Sequence, residues 1–212
     1  MSGRPPPARG KTGTDSRPAR TWLLPEQVKR LKRATLDQYY TSLQDRDHAI
    51  VELLYDSGVR VGELVLLDVE NLLLDEDPPV LRMQASIQKG GGPGPAELEL
   101  DWDTGTTLDR YLTRRPWDTD ALFPSRQADR MTASSVRRAV KNAAERAGVS
   151  PYVSEDDRLR GEPSEVTPHT LRHSVAYRMI NEEGKRMVDV QMRLRHADLQ
   201  TTTRVYGHLR RR

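Results

Sequence analysis

The spacing of apolar residues follows a helical period at both ends of this chain and breaks from it once. "LPEQVKRLKRATL" places Val28, Leu31 and Ala34, with Leu24, on one face, and Pro25 suits a first turn. "LQDRDHAIVELLYDSG" repeats the pattern through Ile50, Leu53 and Leu54, with Gly58 as its stop. "VGELVLLDVENLLL" reads as a short helix running into a buried turn. "PPVLRMQASIQKGGGPGPAELELD" then alternates on both sides of "KGGGPG", which predicts a β-hairpin with a long tip. Helical spacing returns in "TGTTLDRYLTRR" and in "TASSVRRAVKNAAERAG", the second with Thr132 as N-cap. "VSPYVSEDDRLRGEPSEV" reads as a loop, and "TPHTLRHSVAYRMINEEG", "MVDVQMRLRH" and "ADLQTTTRVYGHL" as three further helices. The expected fold class is therefore α+β, mainly α-helical with one small antiparallel β-sheet.

Charge narrows the function classes. Of 212 residues 31% are charged and the net charge is +3, yet residues 1–20 alone carry +4, leaving the remainder near neutrality. A uniformly basic body that coats nucleic acid is thus excluded, and any positive site must be made by placement. Residues 1–20, rich in Pro, Gly and Arg, are expected to be a disordered basic tail, and residues 21–212 a single domain. No apolar run is long enough for a membrane span and the N-terminus lacks a secretory core. The absence of cysteine rules out disulfides and thiolate metal sites and fits a cytoplasmic setting. The triple glycine near residue 90 lacks the order of a phosphate-binding loop.

Six residues carry chemistry in combination. Arg60, Lys89, His169, Arg172, His196 and Tyr206 each have an ordinary structural reading alone: a capping arginine, a turn lysine, a helix surface pair, a helix-end histidine, a packed tyrosine. His169 and Arg172, three apart, are expected to share a helical face. Together, two guanidiniums, an ammonium, two imidazoles and a phenol suit phosphoryl transfer through a covalent tyrosine. Arginine stays charged and forks onto two phosphate oxygens; imidazole donates or moves a proton near neutrality; a phenol needs cations and a base before it attacks. No carboxylate cluster at metal-binding spacing appears, so no metal or other cofactor is expected.

In this order, "GVRVGEL", a hairpin lysine, "HTLRH", "LRHAD" and "TTTRVY" resemble the tyrosine recombinases, or phage integrase family, across their catalytic domain, from about residue 22 to 209. The resemblance implies the DNA breaking-rejoining fold and a site-specific recombinase. Tyr206 would attack the scissile phosphate to form a 3′-phosphotyrosyl link, and Arg60 and Arg172 would hold the non-bridging oxygens. Lys89 would give its proton to the departing 5′-oxygen, His169 would act as the base-like partner and His196 would donate to the phosphate. The implied partner is double-stranded DNA, with a homo-tetramer on paired sites and a monomer in isolation. The setting would be prokaryotic or viral. Glu63 is read as orienting Arg60, and His173 as packing or as supporting a neighbouring site residue. Rival readings are a type IB topoisomerase-like enzyme, a non-catalytic DNA-binding regulator and a helical interaction module.

Three positions depart from the family pattern. Arg195 stands where glycine usually precedes the histidine, making the helix break less free but adding a guanidinium that could reach a phosphate. The N-terminal core-binding domain that normally clamps the DNA has no counterpart before Trp22, so the expectation is a catalytic fragment or minimal recombinase with weak, salt-sensitive binding. Only "GHLRRR" follows Tyr206, where many relatives extend into a neighbouring subunit.

Overall fold

The computed structural model describes residues 21–38, 40–88, 94–153, 160–196 and 199–209. Helix α2 (Thr41–Ser57) organises them. Twelve of its residues are buried, because α1 (Pro25–Thr35), α4 (Trp102–Arg114), α5 (Ala133–Ala147) and α6 (Pro168–Asn181) all pack against it. Ile50, Leu53 and Leu54 are fully buried as expected from the periodicity. The polar residues buried with them have partners: Asp47 accepts from Arg46, Glu52 from Lys32 and Asp56 from Arg193.

Local signals fix the helix ends. Val28, Leu31 and Ala34 of α1 face the core, and Pro25 opens it. At the start of α5 the Ser135 N–H donates to Thr132 Oγ1 at 3.1 Å. Thr167 caps α6 by accepting from the Thr170 N–H at 3.2 Å. Two further helices follow, α7 (Met187–Leu194) and α8 (Leu199–Tyr206), and α3 (Val61–Leu64) is a single turn after α2.

The mainly helical fold with small antiparallel pairing is as expected, with two small sheets among the described residues where one was read. The hairpin strands β3 (Val80–Met83) and β4 (Ala96–Glu99) pair antiparallel, as read from their alternation. A third strand, β2 (Leu72–Leu73), joins the β3 edge, so the "NLLL" segment is a strand where a continuing helix and turn were expected. Strands β1 (Thr21–Trp22) and β5 (Tyr152–Val153) form a separate pair, so the segment expected to be all loop contributes a strand. Trp22 also stacks between Tyr152 and Tyr177 at 5.7 and 6.2 Å, tying the N-terminal edge to α6. Among the described residues no helix is long and apolar enough to cross a membrane.

Gly58 ends α2 with φ 65°, a conformation that favours glycine. A Cβ there would lie 2.5 Å from Leu194 Cδ2, which is buried. Gly58→Ala combines left-handed strain with overpacking and should lower the unfolding free energy by about 2–4 kcal/mol in urea denaturation. An unchanged midpoint would mean that α7 yields to the methyl group without cost.

Candidate functional site

The site gathers at the C-terminal end of α2, where α6, α7 and α8 converge. Arg60 follows the Gly58 stop and is the N-cap of α3. The one-turn helix brings Glu63 back beneath it: the Arg60 N–H donates to Glu63 Oε2 at 2.8 Å and Arg60 Nη1 to Oε1 at 2.9 Å. This is the orienting role expected for Glu63. Burial alone would raise the Glu63 pKa, but Arg195 and Arg60 outweigh it and hold the carboxyl below its ordinary range, ionised at neutral pH. Arg60 keeps 28% of its side chain exposed, enough to meet a ligand.

Arg172 is placed differently from the expectation. It lies one turn from His169 and close enough to act on it, but its head group is buried and not on the helix surface. It is 2% exposed, and its Nη1 and Nη2 donate to the carbonyls of Gly58 and Leu194. One guanidinium thus pins the end of α2 to the end of α7. Burial first, then the neighbouring Arg60, lower its pKa to about 9, while Tyr206 and Glu63 act in the opposite direction; it remains charged at neutral pH. The fold therefore holds a cation where water no longer solvates it.

His169 pairs instead with His173, four residues on. Their Nε2 atoms are 2.8 Å apart, a contact that requires one of the two rings to supply the proton. His169 is exposed, yet partial desolvation against its neighbours, followed by Arg172 and Arg60, lowers its pKa, so its imidazole is neutral at pH 7 and able to accept a proton. His173 is buried and packs edge-on against the Tyr206 ring, centroids 5.2 Å apart. His173 thus both packs and supports a neighbouring candidate residue, the two readings its position allowed. The four-residue spacing of the two histidines, which puts them on one face, was the available signal.

Tyr206 ends α8 and is 1% exposed. Its other face stacks on His196, centroids 5.7 Å apart and planes 6° from parallel. His196 is fixed in turn: its Nδ1 is 2.9 Å from Thr202 Oγ1, and its N–H donates to the Gln191 carbonyl. Arg195 precedes it with φ 51°, taking the left-handed turn that a glycine would take freely. Its Nη2 donates to Glu63 Oε2 at 2.7 Å, a link the sequence reading did not foresee. Of the six candidates, Arg60, His169, Arg172, His196 and Tyr206 converge here, and Lys89 lies outside the described residues. Among the described residues no group of acidic or histidine side chains could hold a metal ion.

Comparison with known proteins gives the family and the fold. The model of the phage integrase family fits residues 21–212. Tyrosine recombinase XerD of Shewanella oneidensis is 33% identical over 172 residues, which cover 78% of this chain and 50% of that protein. The crystal structure of XerA recombinase aligns with a TM-score of 0.69 at 28% identity, over 88% of this chain and 60% of that one. XerH recombinase in a pre-cleavage complex with its difH substrate gives 0.69 at 21% identity, over 89% and 50%, a likeness of fold. The chain spans about half the length of the curated relatives it matches. It belongs to the phage integrase family, with the fold of a tyrosine recombinase catalytic domain.

Proposed function

We propose that this chain is the catalytic part of a site-specific DNA recombinase, acting in integration, excision or dimer resolution. The observation that carries the reading is the seat of Tyr206 between His196 and His173, where α6, α7 and α8 meet. Tyr206 Oη attacks the phosphorus of one strand and the 5′-oxygen leaves, giving a 3′-phosphotyrosyl ester and a 5′-hydroxyl. Arg60 and Arg172 stabilise the charge that builds on the non-bridging oxygens. The neutral His169, coupled to His173, takes the phenolic proton, and His196 donates to the phosphate. Lys89 supplies the proton to the leaving oxygen. Attack by a 5′-hydroxyl of another strand reverses the chemistry and reseals the DNA. The ester keeps the energy of the bond it replaced, so rejoining needs no ATP, and guanidiniums supply the positive charge that a metal ion gives other phosphoryl-transfer enzymes. The assembled form on paired sites is a homo-tetramer, and the chain alone is a monomer.

The test is a nicked duplex carrying the recombination site, incubated with the protein in excess EDTA and resolved under denaturing conditions. A protein–DNA adduct that maps to the peptide containing Tyr206 is expected. DNA that stays free under these conditions, but is cut when magnesium is restored, would replace this mechanism with a metal-dependent one.

A further inference from the structure

The geometry points to Arg195 as a third phosphate-binding guanidinium, donating to the backbone phosphate that enters the pocket lined by Arg60 and Arg172. The inference rests on the recombinase reading and adds to it a contact that a family member with glycine at this position lacks.

Four observations carry it. First, Arg195 is the only non-glycine residue with positive φ among the described residues, so its side chain is kept at a position where glycine would remove the strain. Second, that side chain is 11% exposed, folded in towards the site and away from solvent. Third, only Nη2 has an acceptor, Glu63; Nε and Nη1 are buried without one. Arginine carries donors on all three nitrogens, and native interiors rarely leave such donors unmatched. Fourth, the charges around it do not balance. Arg60 and Arg195 share the single carboxylate of Glu63, and Arg172 is held on neutral carbonyls. The nearby Arg193 is already paired with Asp56. Three guanidiniums thus face one carboxylate, and an anion is what the arrangement lacks. Burial, then repulsion from Arg60, depresses the pKa of Arg195 after the attraction of Glu63 is counted, which fits a cation awaiting its counter-ion.

A phosphodiester fits each of these features. It is singly negative, offers two non-bridging oxygens as acceptors, and is bound by forked guanidiniums more readily than by other side chains. Glu63 then acts as a common anchor, holding Arg60 and Arg195 at fixed separation with donors directed at the same oxygens.

The experiment is the salt dependence of binding to a short fluorescent duplex, followed by anisotropy from about 50 to about 200 mM NaCl. Each phosphate neutralised contributes about 0.9 to the slope of log K against log salt. Arg195→Gly suits the left-handed backbone and should fold at least as well as wild type, yet its slope should fall by about 0.9. Arg195→Asn, uncharged and tolerant of the same conformation, should show the same loss, and Arg195→Lys should restore the slope. Wild-type slopes in both neutral variants would overturn the contact and leave the recombinase reading standing. A wild-type chain that holds no duplex at all would overturn both.

Discussion

Tyr206→Phe should abolish the denaturant-resistant adduct, lowering its rate of formation by on the order of 10⁴-fold or more, since it removes the oxygen proposed as the nucleophile. The ring is what packs: it is 1% exposed, stacked on His196 and edge-on to His173. Phenylalanine keeps both ring contacts and removes only the hydroxyl, so stability should fall by about 1 kcal/mol or less. Retained duplex affinity with no adduct is the expected pair of results, read by anisotropy and by denaturing electrophoresis. An adduct that persists in the variant would move the nucleophile elsewhere and dissolve the role given to this pocket. The burial of the ring adds a condition. A phenol so enclosed must become more accessible before it can attack a phosphate.

How far the fold could be read from the sequence depended on how local each signal was. Val28, Leu31 and Ala34 repeat within one helix, Thr132 reaches three residues ahead, and Gly58 is fixed by its own φ. Each is decided by neighbours in the chain, and each was legible. Strands β1, β2 and β5 are two residues long, too short to display an alternation. Trp22 and Tyr152 pair only because the fold brings distant segments together. Their pairing is a consequence of the tertiary packing, and no window along the chain contains it.

The site divides in the same way. Residue types and their order were enough to single out Arg60, Lys89, His169, Arg172, His196 and Tyr206 as candidates, and five of them lie together, with Lys89 outside the described residues. Where each guanidinium would be anchored was not legible. Helical geometry placed Arg172 beside His169, but an arginine stem is long enough to carry its head across to Gly58 and Leu194, and burial favoured that route. Arg195 was read as making the helix break less free and as a guanidinium that could reach a phosphate. Its tie to Glu63 depends on α3 and α7 meeting, which is again a fact of packing.

Arg172→Ala should cost on the order of a hundredfold or more in the rate of adduct formation, about 2.7 kcal/mol of transition-state stabilisation, by analogy with removal of one oxyanion donor. The effect on stability should be smaller, because two contributions oppose. Alanine leaves the Gly58 and Leu194 carbonyls without their donor, a loss of about 1–3 kcal/mol for each that stays dry. It also removes a cation that the fold disfavours: burial and the neighbouring Arg60 bring its pKa down to about 9 from the ordinary arginine value. Burial therefore disfavours the charged form in the absence of an anion. On the proposed mechanism a bound phosphate offsets that desolvation, and Arg172 then stabilises the transition state. Arg172→Lys provides the discriminating measurement. Lysine restores a positive charge but cannot bridge two carbonyls and still fork onto phosphate oxygens, so it should recover less than about tenfold of the lost rate. Full recovery by lysine would show that charge alone suffices, and that the bridge between α2 and α7 plays no part in catalysis.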